Sequence, residues 1–336
     1  MRTNRLFFIL SLSLFLTAGL FTAQAQKPRI KLKPTQTLLL YPEGQNVDKG
    51  LEGAEGPLEN NGLTGEYMKE DGNLYNTGDS ARIDLYLPKK CNGKMIIVCP
   101  GGGYRFTSTY NEGLYVANYM LKRNIAVCVV KYRMPNGHWQ LPLHDVQNAF
   151  RYCRANAEKW GVKQIGVIGF SAGGHLASTV STMYKDAITK PDFSILIYPV
   201  ITFGPMTSHG GTRNNLIGKK EKWDNHDLKV DDYNASMAKY NELVEYYSTE
   251  NRINAETPKT FIAVSQDDKT VPVANSIMYY EKLTEHKVPA ALYIFPTGGH
   301  GWGFSKTEWR ADGKEDRLKN HRSTFEKVLD DWMNAL

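Results

Sequence analysis

The sequence predicts an α/β protein: a mostly parallel, doubly wound central sheet with helices on both faces. Two observations carry this. Short apolar, β-branched runs recur along the 336 residues, and helix-length segments alternate with them. Unbroken apolar runs of strand length suit strands buried on both faces, the usual state in parallel sheets.

In chain order, strands are expected at IDLYL (83–87), MIIVC (95–99), IAVCVVKY (125–132), IGVIGF (165–170), FSILIY (193–198), FIAVS (261–265) and ALYIF (291–295). Helices are expected over 112–123, 143–160, 172–184 and 273–286, each between two strands, and over 315–336 at the end. Two regions break the rhythm. Residues 26–80 are rich in Gly, Asn and Asp and are expected to wrap the sheet edge. Residues 203–257 are polar, with Trp223, Tyr233, Tyr240, Tyr246 and Tyr247 scattered through them. An insertion of that length is usually functional. It is expected as a cap-like layer above the carboxyl ends of the strands, where open α/β sheets bind ligands. No internal repeat or low-complexity tract is visible.

The N-terminus reads as an export signal. Arg2 and Arg5 precede an apolar run from Leu6 to Leu20, and Ala23-Gln24-Ala25 supplies a small-residue cleavage pattern. Residues 1–25 are therefore expected to be removed, leaving 26–336 as one domain in the periplasm or outside the cell. No later stretch is long and apolar enough to span a bilayer. Losing two arginines lowers the formal charge from +6 to +4, too weak and dispersed for nucleic acid. The four cysteines make no disulfide framework; Cys99 and Cys128 sit inside apolar runs as small hydrophobes, and nothing forces Cys91 and Cys153 to pair.

The chemistry starts at GFSAGGHLAS (169–178). Gly-x-Ser-x-Gly lies here between a predicted strand and a predicted helix. A serine in so sharp a turn is strained, and only small neighbours let the chain fold back. Its hydroxyl then projects beside a helix N-terminus, where developing negative charge is stabilised. The competing reading of Ser171 is an ordinary helix cap. A nucleophilic serine needs a base. His300, in PTGGHGWGF after the last strand, can reach over the sheet edge on its glycine-rich loop. His175 points away from the turn and reads as packing, while His138, His144, His209 and His226 lie in other loops and helices.

The base needs a carboxylate to fix its tautomer. SQDDKTVPV offers Asp267 and Asp268; the register of Asp-x-x-Val-Pro favours Asp268, and leaves Asp267 to orient or cap the loop. CPGGGYRF (99–106) follows a strand and suits an oxyanion loop, with backbone donors expected from Gly102 or Gly103 and from Ala172. Tyr104 and Trp302 are expected to shape the substrate pocket. No metal-ligand spacing or cofactor motif is present, so none is expected.

These residues resemble the α/β-hydrolase superfamily. Within it, CPGGGY (99–104), NEGLYVANYMLKRNIAVCVVKYRMP (111–135), LPLHDVQNAFRYCRANAEKWGV (141–162), VIGFSAGGHLAS (167–178), DDKTVPVANS (267–276) and PTGGHGWGF (296–304) are similar to secreted bacterial acetyl esterases related to acetylxylan esterases. The resemblance runs from about residue 82 onward. It implies an α/β-hydrolase fold with Ser171 as nucleophile, His300 as base and Asp268 as acid, oxyanion donors in the Gly101–Gly103 loop, and a structural role for Asp145. Pro100 stands where lipase-like relatives have a histidine before the glycines, which leaves the backbone donors untouched. The long 203–257 segment is unfamiliar and leaves the substrate open.

The expected activity is that of a serine carboxylesterase acting through an acyl-serine, removing acetyl groups from an acetylated polysaccharide or oligosaccharide such as xylan. A lipase would carry a more apolar lid, and aromatics on a polar surface suit sugar faces. Two other readings stand beside it: a serine exopeptidase resembling the prolyl-oligopeptidase group, and a non-catalytic sugar-binding scaffold.

Overall fold

The computed structural model describes residues 30–42, 66–69, 71–75, 77, 81–135, 137–310 and 313–336. The expected export signal and most of the 26–80 segment lie outside the described residues. Among the described residues eleven strands are present: β1 (Gln36–Leu39), β2 (Tyr67–Met68), β3 (Asn73–Tyr75), β4 (Arg82–Tyr86), β5 (Lys94–Cys99), β6 (Phe106–Ser108), β7 (Ala126–Lys131), β8 (Gln164–Phe170), β9 (Ser194–Ile197), β10 (Thr260–Ser265) and β11 (Ala290–Phe295). The α-helices among the described residues are α1 (Tyr115–Leu121), α2 (Leu141–Asn156), α3 (Ala172–Thr182), α4 (Gly210–Ile217), α5 (Lys220–Trp223), α6 (Val230–Tyr246), α7 (Ala274–Glu285) and α8 (Arg322–Asn334).

Eight strands form one sheet in the order β1-β4-β7-β5-β8-β9-β10-β11. β4 pairs antiparallel with both β1 and β7, and every later pairing is parallel. Strand alternation divides the core. Along β5, Met95, Ile97 and Cys99 face one apolar cluster that includes Phe150 and Leu176. Ile96 and Val98 face a second cluster with Val116, Met120, Phe325 and Leu329. Both faces are thus dry, which explains why these strands read as unbroken apolar runs.

All seven predicted strands appear within a residue or two of their expected bounds. The edge strand β1 and the small antiparallel sheet β2-β3-β6 were not anticipated. Two helices differ from expectation. The one expected over 112–123 opens as a π-helical turn, Tyr110–Leu114, before α1. The last begins at Arg322 rather than 315, because the Asp316 carboxylate accepts from Leu318 N and from the Arg322 guanidinium and holds the preceding residues in turns.

A buried ion pair ties the β7 exit to α2. Asp145, fully buried, accepts from Arg133 N at 2.7 Å, from Arg133 Nη2 at 2.6 Å and from the Tyr41 hydroxyl at 2.6 Å. The four cysteines are free thiols, three of them buried. Among the described residues no helix is long and apolar enough to cross a membrane.

Candidate active site

Four loops leave the carboxyl ends of β5, β8, β10 and β11 and meet at one rim of the sheet. This is where parallel topology gathers side chains from distant parts of a chain. Ser171 stands between β8 and α3 with φ 53° and ψ −122°, a conformation non-glycine residues avoid and that costs on the order of 1–3 kcal/mol. Backbone bonds on both sides hold it there: Ser171 N donates to Ile197 O, and Val200 N donates to Ser171 O. Close packing fixes the neighbours as glycine. A Cβ on Gly169 would lie 2.1 Å from Gly173 O, and one on Gly173 would lie 2.1 Å from Cys99 O. The Ser171 side chain makes no capping bond to α3.

Its partner is His300. His300 Nε2 lies 2.8 Å from Ser171 Oγ, and His300 Nδ1 lies 2.7 Å from Asp268 Oδ2. The Asp268 side chain is fully buried, and its Oδ1 accepts from Thr270 N at 2.8 Å and Val271 N at 2.9 Å. The two backbone bonds hold the carboxylate plane while the other oxygen faces the imidazole. Asp267 turns the other way and accepts from Gly299 N at 2.8 Å, steadying the histidine loop. An imidazole so placed can take the hydroxyl proton, with a fixed anion beside the charge that forms.

The glycine loop after β5 packs against the serine turn. Gly101 N donates to Glu112 Oε2 at 2.6 Å, so this amide is already engaged. Ala172 is the first residue of α3, and its N–H has no acceptor within the helix. Tyr104 does not line a pocket. With φ 56° its ring turns inward, it is 1% exposed, and its hydroxyl lies 2.9 Å from His175 Nδ1. Trp302 is likewise 1% exposed, with Nε1 donating to Ser265 Oγ at 3.1 Å and its ring against Phe325. Both expected pocket residues are core.

His175 explains the turn of Tyr104. It is fully buried, stacks on Phe203 at 4.5 Å, and its Nε2 lies 2.8 Å from Tyr247 O. A carbonyl can only accept, so Nε2 carries the proton and Nδ1 accepts from Tyr104. Burial lowers the imidazole pKa to about 4. The insertion reaches the same loop from above: Asn215 Nδ2 on α4 donates to Gly103 O at 2.7 Å. Most of its aromatics pack against the core or one another. Tyr240 and Tyr247 are buried, and Trp223 is half-buried with Nε1 on Ile217 O. The more exposed Tyr246 carries Arg252 over its ring.

Sequence reading missed Glu112, which it took for a helix start. The available signal was a carboxylate entering an otherwise apolar segment, NEGLYVANYML. Residues 83–283 match the BD-FAE family. The chain belongs to the BD-FAE family. Among curated relatives, the acetylxylan esterase of Xylanibacter ruminicola is 36% identical over 236 residues, covering 69% of this chain and 45% of that protein. Endo-1,4-beta-xylanase B of Butyrivibrio fibrisolvens is 31% identical, covering 64% of this chain and 33% of that one. The chain thus spans less than half the length of either relative. An acetyl ester-xyloside bifunctional hydrolase from Caldicellulosiruptor lactoaceticus superposes with a TM-score of 0.63 at 27% identity, over 91% of this chain and 97% of that one. A carboxylesterase from Lactobacillus plantarum superposes with a TM-score of 0.60 at 20% identity, over 76% and 92%. This BD-FAE family member therefore has the α/β-hydrolase fold.

Proposed function

We propose that this protein is a serine carboxylesterase that removes O-acetyl groups from xylan or from oligosaccharides derived from it. The observation that carries the reading is the hydrogen-bonded line from Ser171 through His300 to Asp268. The names of the relatives support the substrate: an acetylxylan esterase, a xylanase and an acetyl ester-xyloside hydrolase.

His300 Nε2 takes the Ser171 proton as the hydroxyl oxygen attacks the acetyl carbonyl. Negative charge on the carbonyl oxygen is met by the N–H of Ala172 and by that of Gly102 or Gly103; Gly101 N is held by Glu112 and is not a donor. The imidazolium, oriented by Asp268, passes its proton to the departing sugar oxygen and leaves an acetyl-serine. Water, deprotonated by the same imidazole, attacks that ester, releases acetate and restores the hydroxyl. Export through the 1–25 signal would bring the enzyme to its polymer.

The test is acetate release from acetylated xylan by wild type beside Ser171→Ala. Release by wild type alone supports the reading. Activity confined to synthetic acetate esters refutes the substrate class while leaving the esterase chemistry, and equal activity in both proteins refutes the chemistry.

A further inference from the structure

Glu112 sits on the π-helical turn Tyr110–Leu114, 4% exposed, bonded to the glycine loop directly and to the histidine loop through Tyr198. Its Oε2 accepts from Gly101 N at 2.6 Å, and its Oε1 accepts from the Tyr198 hydroxyl at 2.8 Å. That hydroxyl in turn accepts from Gly303 N at 2.8 Å, in the loop that carries His300. The Tyr198 ring lies 4.8 Å from the His300 ring, centroid to centroid. The preceding residue grips the same loop: Asn111 Nδ2 donates to Gly301 O at 2.9 Å, and Asn111 Oδ1 accepts from Ser305 Oγ.

The packing leaves little slack. A Cβ on Gly101 would lie 2.8 Å from Glu112 Oε2 and 3.0 Å from Ser171 Cβ, and one on Gly303 would lie 2.5 Å from Asn111 Oδ1. A π-helical turn is a costly local geometry that recurs at functional sites. Here it sets Asn111 and Glu112 toward two different loops at once. Both carboxylate oxygens accept, which a neutral amide of the same shape cannot reproduce. Burial raises the Glu112 carboxyl pKa, while the Tyr198 and Gly101 bonds and the nearby His300 pull it down.

We infer that Glu112 is a positioning residue for the esterase reaction: it locks the glycine loop and the histidine loop in register through Gly101 and Tyr198. Gly101 N is engaged by Glu112, which leaves the Gly102 and Gly103 amides as the loop's donors, while Gly303 is held so that His300 stays at bonding distance. Glu112 itself touches neither substrate nor the reacting atoms. The inference rests on the esterase reading.

The experiment compares wild type, Glu112→Gln and Tyr198→Phe on 4-nitrophenyl acetate, with active serine counted by exhaustive fluorophosphonate titration. Inhibition by phenylboronic acid, whose serine adduct is tetrahedral, is measured alongside. The expected result for Glu112→Gln is a kcat per titrated serine lower by about 10²-fold, the scale of one displaced oxyanion donor, with KM within about twofold. Boronate affinity should fall in parallel, and Tyr198→Phe should show the same pattern at about tenfold. If Glu112→Gln does not fold, Tyr198→Phe, which removes only a hydroxyl, decides the matter. A lower titratable fraction with unchanged kcat per serine, or a loss confined to KM, overturns the inference and leaves the esterase reading intact. A wild type that is neither labelled nor active overturns both.

Discussion

Asp267 and Asp268 are adjacent in the chain yet hold two different parts of one loop: Asp268 Oδ2 meets His300 Nδ1 at 2.7 Å, and Asp267 Oδ1 takes Gly299 N at 2.8 Å. One carboxylate orients the imidazole and its neighbour anchors the backbone that carries it. Their substitutions should therefore separate. Asp268→Asn is expected to lower kcat by about 10⁴-fold, because an amide can stabilise the wrong imidazole tautomer. Asp267→Ala is expected to cost about tenfold through looser placement of His300. Steady-state kinetics on 4-nitrophenyl acetate decides it, and equal losses would place both carboxylates in one role.

The pair Arg133–Asp145 belongs to the fold. Removing one partner leaves a buried charge uncompensated, so Asp145→Ala should lower stability by about 3–5 kcal/mol. Urea unfolding measures it. Protein that remains folded should keep its kcat, because the pair lies outside the line from Ser171 to Asp268.

His175 gives a pH signature. Its folded pKa of about 4 lies below the unfolded value of about 6.5, so the neutral imidazole favours the native state. That stability is fully present above pH 6.5 and is lost as pH falls through 4, on the order of 3 kcal/mol in all. Protonation forces Nδ1 to donate and breaks its acceptance from Tyr104, the anchor of the glycine loop. Unfolding free energy measured from pH 7 to pH 4 should fall more steeply in wild type than in His175→Gln. Parallel slopes would assign the acid sensitivity elsewhere.

The strand–helix alternation and the three residues of the hydrogen-bonded line were legible because their signals are local. Each lies at a strand end, flanked by glycine or proline that only a sharp turn needs. Glu112 and Tyr198 also stand beside Gly113 and Pro199, but they match no motif with a known chemical role, and the bond between them, 86 residues apart in the chain, is set by tertiary packing alone. Tyr104 and Trp302 show the opposite failure. Standing beside a functional loop says nothing about which way a ring turns, and the positive φ of Tyr104 sends it into the core. Strands β1, β2 and β3, at four, two and three residues, are too short to display a pattern. The aromatics of the insertion looked like a sugar surface in composition, and packing against the main core and one another accounts for most of them.

The most direct measurement is the mass of the peptide containing residue 171 after brief exposure of the folded protein to a fluorophosphonate. A stoichiometric adduct on Ser171 is expected in wild type, with greatly slowed labelling in His300→Ala and none in Ser171→Ala. An unmodified Ser171 in active, folded wild type would contradict it.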